Sequence, residues 1–337
     1  MKMLALAASL LAFAPVVAQT KPAPVFTARS FLPDQYQNVA FVDLAALRDH
    51  GIQDVLDASV LKTVFTQLEK ETGFPLTSLD RATQVAVAGG DEVRHRTVTV
   101  LEGNKELPLP PWVTGGRWTE STAGEHVLYR REGRVSDVFV CPRPNLQVFG
   151  DDEFVLPALE GKRGGGGPCP DVMSLLSGRG DHLAYAVFFL DTERNARRVL
   201  DALFPETKWP EGGKPTFFVF RLRKIGTADD PHVELELVVR HEKEGDGVTT
   251  TDAAWDALLE RLKKDAGWLS FRPLLARAQK RRDHADVVVA ADLGTPREAV
   301  GHAALLFGKV FARQAQEQPD EAAAAPAAPA PATPKKQ

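Results

Sequence analysis

With only two cysteines in 337 residues, the chain has a pair that falls short by itself of the three or four ligands that a metal site wants. No G-x-S-x-G elbow, G-x-x-x-x-G-K-[ST] loop or H-E-x-x-H helix occurs. The usual sequence marks of serine acyl transfer, phosphate cradling and zinc proteolysis are therefore missing. The eight histidines are scattered, and no cofactor or metal is expected. Long apolar runs are scarce too. Beyond residue 18 the longest are 184–190 and 287–291, far short of the ~20 residues that cross a bilayer as a helix.

The one longer apolar run stands at the start. Lys2 precedes a stretch from Leu4 to Val17 broken only by Ser9 and Pro15. Val16-Val17-Ala18 puts small residues where a signal peptidase cuts, ahead of Gln19. Residues 1–18 thus read as a secretory signal peptide. No cysteine follows for lipidation, so the expected product is soluble and exported, periplasmic or extracellular, with no transmembrane segment after signal removal. Losing Lys2 would move the net charge from −4 to −5. That mild acidity argues against nucleic acid as a partner. In an oxidising compartment Cys141 and Cys169 are expected to form a disulfide.

Composition divides the remainder. Residues 19–30 form a lead-in. Residues 161–168, with four consecutive glycines at 164–167, read as a linker, because glycine loses most backbone entropy on ordering. It separates an N-terminal part, 31–160, from a C-terminal part, 169–314. Residues 315–337 become an Ala/Pro tail with nothing large and apolar to bury, and are expected to be disordered.

One pattern recurs between these landmarks. Val39–Val42 ends in Asp43, Leu183–Leu190 in Asp191 and Val287–Ala291 in Asp292, each followed by a helical stretch. Thr295, Pro296 and Glu298 fit a capped helix start. Leu61/Val64/Phe65/Leu68, Ala196/Val199/Leu200/Leu203 and Trp255/Leu258/Leu259/Leu262 follow amphipathic helical spacing. Val233, Leu235, Leu237 and Val239 alternate with Glu234, Glu236 and Arg240, as in a strand with one face on a core and one in water. It forms a hairpin with 216–223. Segments 126–130, 136–141 and 146–149 read as a meander. The expected class is α+β: two related halves, each a mostly antiparallel sheet with amphipathic helices on one face.

Three groups of residues could carry function. Asp43, Asp191 and Asp292, with His284, could act as acid and base if their strands met; aspartates before helices also serve as caps. Arg261, Lys263, Lys264, Arg272, Arg277, Lys280, Arg281 and Arg282 stand against the single Asp265. Over 272–282 they read as a basic amphipathic helix able to lie on an anionic lipid or glycan. The proline-rich loop 107–112, which ends in Trp112 with Trp118 close behind, could present a stiff, sticky surface to a partner or fold over the core.

Phe31-Leu32-Pro33-Asp34 followed by Val39-Ala40-Phe41-Val42-Asp43-Leu44 resembles the opening of exported bacterial proteins of uncharacterised function. Leu128-Tyr129, Leu146–Gly150 and the helix at 151–160 are similar to their middle, so the resemblance covers about residues 30–312. It implies no catalytic residues; loop 103–120 and the cysteine pair fall outside it. The expectation is a non-enzymatic binding or scaffold protein of the cell envelope, its partner an envelope protein or an anionic polymer. An envelope hydrolase built on the Asp/His set, or anionic lipid or glycan binding through 261–282, are the alternatives.

Overall fold

The computed structural model describes residues 26–33, 36–57, 62–87, 96–133, 137–162, 182–190, 200, 203–227, 229–302 and 305. The signal segment, most of the glycine run, Cys169, Asp191 and the Ala/Pro tail lie outside these residues.

Among the described residues, twelve strands form one sheet: β1 (Asn38–Asp43), β2 (Leu79–Val87), β3 (Arg96–Gly103), β4 (Trp118–Ala123), β5 (His126–Arg131), β6 (Asp137–Arg143), β7 (Leu146–Asp151), β8 (His182–Phe189), β9 (Phe217–Gly226), β10 (Pro231–Arg240), β11 (Gln279–Asp283) and β12 (Asp286–Asp292). Their order across the sheet is β11-β12-β10-β9-β8-β1-β2-β3-β7-β6-β5-β4. Every neighbouring pair is antiparallel.

This corrects the expectation of two halves with separate sheets. β1 and β8 each pair on one side with a later strand of their own part of the chain. Their other edges pair with each other, Phe41 opposite Tyr185 and Val39 opposite Val187. Alternation in a sequence marks the face a residue takes, not the edge its strand offers. Two apolar strands with a free edge each are better joined than exposed.

Helices also lie on both faces, not one. On the front, α5 (Asp152–Leu159) and the segment at 26–32 bury Phe154, Val155, Phe31 and Leu32 against Val98, Val100, Val140 and Val148. On the back, α6 (Asp246–Lys264) sets Val248, Trp255 and Leu258 against Val239, Val287 and Val289. Also on the back, α1 (Leu44–Asp49), α2 (Ile52–Asp57), α7 (Arg272–Arg277) and the helix at 296–302 cover Val233 and Ala291. The last helix begins as its sequence predicts: Thr295 N–H donates to Glu298 Oε2 at 2.8 Å and Glu298 N–H to Thr295 Oγ1 at 3.4 Å.

Strands β5 to β7 match the expected meander. The segment after Ala278 does not match the expected helix. Helix α7 stops at Arg277 and residues 279–283 form edge strand β11.

Candidate functional site

Asp43 and Asp292, the two strand-end aspartates among the described residues, do not converge; Asp191 lies outside those residues. Asp43 caps α1, accepting from Ala46 N–H at 2.8 Å, with Arg81 at 3.5 Å. Asp292 ends β12, four strand positions from β1 and so about 19 Å away. His284 sits in the β11–β12 turn at φ 51°, its ring 3.0 Å from Glu244. Asp286 instead takes a two-bond contact from Arg240, at 2.8 Å each. Because its main contact is a cap, Asp43→Ala should lower stability by about 1 kcal/mol in a denaturant titration; a loss above about 3 kcal/mol would show a larger role.

Asp292 does have a partner that sequence reasoning missed. His232 Nδ1 lies 3.0 Å from Asp292 Oδ2, and Gly294 N–H donates to Asp292 Oδ1 at 2.7 Å. The hydrogen bond to Asp292 holds the His232 ring above its ordinary pKa. Both side chains stand at the ends of neighbouring strands, 60 residues apart in sequence, so spacing gave no signal.

The eight cations of 261–282 are spread over several surfaces. Arg261, Lys263 and Lys264 occupy the last turn of α6, where positive charge favours the helix dipole. Lys263 pairs with Glu260 at 3.0 Å and Arg272 Nε donates to Lys263 O at 3.0 Å. Arg277 ends α7. Because β11 is a strand, its side chains alternate between faces. Lys280 and Arg282 turn to the back and meet Asp252 at 2.9 and 2.6 Å. The hydrogen bond from Arg282 leads the lowering of the Asp252 pKa. Arg281 turns to the front and meets Glu236 at 2.7 Å.

Glu236 was expected on a wet face, yet its side chain is 1% exposed. Arg223 lies 3.2 Å and Arg221 3.8 Å from its carboxylate. The register explains the convergence: Arg221 stands opposite Glu236 on β9, and Arg281 reaches across from β11.

The aromatic loop forms a shaped, partly exposed surface. Pro111 and Trp112 begin the short helix α4 (Pro111–Thr114). The Trp112 ring lies 5.3 Å from that of Trp118, 5.5 Å from Phe139 and 5.4 Å from Phe149. Trp112 therefore folds over the sheet, yet stays 39% exposed. Three anchors fix the loop. Gln147 Nε2 donates to Pro108 O at 2.7 Å, and Leu107 N–H to Pro144 O at 2.9 Å. Gly73, ending helix α3 (Lys62–Thr72) at φ +80°, abuts Pro111 so closely that a Cβ would lie 2.6 Å from its Cδ.

Trp112, Gly115, Arg117, Trp118, Arg131 and Phe149 line a depression of about 380 Å³. A second, of about 410 Å³, is lined by Leu109, Tyr129, Cys141 and neighbours. Leu109, Trp112 and Val127 are exposed here. Cys141 is a free thiol, so the expected bridge is not seen; Cys169 lies outside the described residues. Burial pushes the Cys141 thiol up to about 11, which keeps it protonated and weakly nucleophilic near neutral pH.

Among the described residues, no three His, Cys, Asp or Glu side chains gather as a metal site would need. No helix among them is long and apolar enough to cross a membrane.

No family model matches the chain, and no curated protein does. Three solved structures show a distant likeness, all crystal forms of TP0453. Form III has 10% identity and a TM-score of 0.47, covering 82% of this chain and 98% of that one. Form I has 9% and 0.46, covering 84% and 98%. Form IV has 9% and 0.48, covering 82% and 97%.

Proposed function

We propose that this is an exported, non-enzymatic protein of the bacterial envelope that works by binding a partner protein, with the aromatic end of its sheet as the contact surface. The observation that carries the reading is the Trp112–Trp118–Phe149 depression. Large aromatic side chains held on a rigid sheet present much contact area at small entropic cost. The secretory pattern of Met1–Ala18 supports the address. Anionic-polymer binding through 261–282 is less favoured, since at least four of its eight cations are paired within the chain.

Fractionation and site-specific photo-crosslinking in cells test this. The mature chain is expected outside the cytoplasm, starting at Gln19. A photoreactive residue at Val127 should capture an envelope protein, and one at the exposed Glu260 should not. Retention in the cytoplasm with residues 1–18 uncut would overturn the address. Equal capture from both positions would overturn the surface.

A further inference from the structure

The sheet ends in two edge strands that differ in kind. β11 is Gln-Lys-Arg-Arg-Asp over 279–283. Charged side chains of this sort, lysine above all, are the usual guard against a foreign strand adding to an edge. β4 is Trp-Thr-Glu-Ser-Thr-Ala over 118–123. It holds one charge, Glu120, and no proline, and it pairs with β5 without a register shift from Trp118↔Arg131 to Ala123↔His126. The side chains of Thr119, Glu120 and Thr122 are exposed, and no described strand lies beyond it. A regular edge of this length with a single charge is a template for one more strand.

The shaped surface lies beside that edge, on the same face. The register places Trp118, Glu120 and Thr122 on the side that carries Arg131, Tyr129 and Val127. There the depression opens, walled by Trp112 and Trp118.

Resting on the reading of this end as the contact surface, we infer that β4 receives an extended segment of the partner protein as a thirteenth strand. Backbone bonds along β4 supply the adhesion, and alternate side chains of the guest supply the choice. The guest residue opposite Trp118 lies at the mouth of the depression and is apolar. Arg117 is exposed and makes no ion pair among the described residues. Arg131 has Asp137 no nearer than 3.7 Å. A carboxylate two positions from the apolar residue, at the Arg117 end, completes this charge. At the other end Glu120 excludes a second acid. The occupant is thus an extended segment with an apolar and an acidic residue at alternate positions and neutral residues beyond.

The test uses the full mature chain and two synthetic peptides of alternating Val and Thr around one Leu. One carries Asp two positions from the Leu, the other Lys. Backbone hydrogen exchange at 119–123 should slow with the Asp peptide, and that peptide should bind about five- to tenfold more tightly than the Lys peptide. Arg117→Glu, a change at an exposed side chain, should reverse the preference. Unchanged exchange in β4 under saturating peptide would overturn the inference, as would equal binding of the two peptides. So would slowed β4 exchange in the chain alone with rising concentration, because a second copy would then be the guest. Any of these results, with capture from Val127 intact, leaves the envelope-binding reading standing and removes only this mode.

Discussion

Glu236→Gln should lower the stability of the protein by about 3 kcal/mol. The carboxylate is almost wholly buried and serves three guanidinium groups, the nearest, from Arg281, at 2.7 Å. Removing its charge leaves those cations facing one another around a neutral amide. Breaking a buried pair in this way costs about 3–5 kcal/mol. The low end applies because Arg281 is 55% exposed and Arg223 33% exposed, so both can turn toward water. Arg223 also keeps Glu234, at 3.6 Å. The reverse deletion is milder. Arg281→Ala should cost about 1 kcal/mol or less, since two arginines still serve the carboxylate. Urea titrations with an unchanged m-value would read the difference. If both variants lose the same amount, the carboxylate is not the centre of the cluster.

Trp255→Ala should lose about 3–5 kcal/mol. The indole is 2% exposed, and its ring packs edge-on to Phe204 at 5.1 Å. It joins α6 to Val239, Val287 and Val289 on the back of the sheet. Alanine would leave a cavity that a helix anchored at several points cannot collapse to fill. Trp112→Ala is the contrast, because its ring is 39% exposed. There the loss should stay below about 2 kcal/mol, while capture through Val127 falls. Calorimetry of both variants would separate folding from binding. A Trp255→Ala protein that melts with the parent would refute the packing of α6.

These two tryptophans show how unevenly the structure was legible. Trp255 sits in a helical stripe with Leu258 and Leu262, and the structure buries that stripe in one cluster. Trp112 stands in a proline-rich loop with no periodicity. Its edge-on contacts with Phe139 and Phe149 depend on strands that begin more than twenty residues later. The same contrast separates Asp43 from Asp292. A cap is local, so an aspartate ahead of a helix predicts it. The His232 contact needs β10 and β12 side by side, and no short-range pattern encodes that pairing.

Glu236 marks the limit most clearly. Its alternation with Leu235 and Leu237 correctly gave the face on which it lies. Whether that face is wet depends on Arg221, Arg223 and Arg281, brought alongside by neighbouring strands. The segment at 279–283 erred for a related reason. Lysine and arginine suit helices well, and nothing local opposed extending α7. Pairing with β12 made it a strand, and that alternation split Arg281 from Lys280 and Arg282.

The sequence by itself determined the local elements: β1, β8, β12, the β9–β10 hairpin, the β5–β7 meander, the Asp43 cap and the Thr295–Glu298 box. These rest on interactions within a few residues, or on a periodicity that one element carries alone. Only the tertiary structure decided that β1 and β8 join to make one sheet, that β11 and β4 are its edges, and that Trp112 and Trp118 wall a depression beside the less guarded one. Each of those depends on which strand edges meet, and alternating side chains hold no record of that.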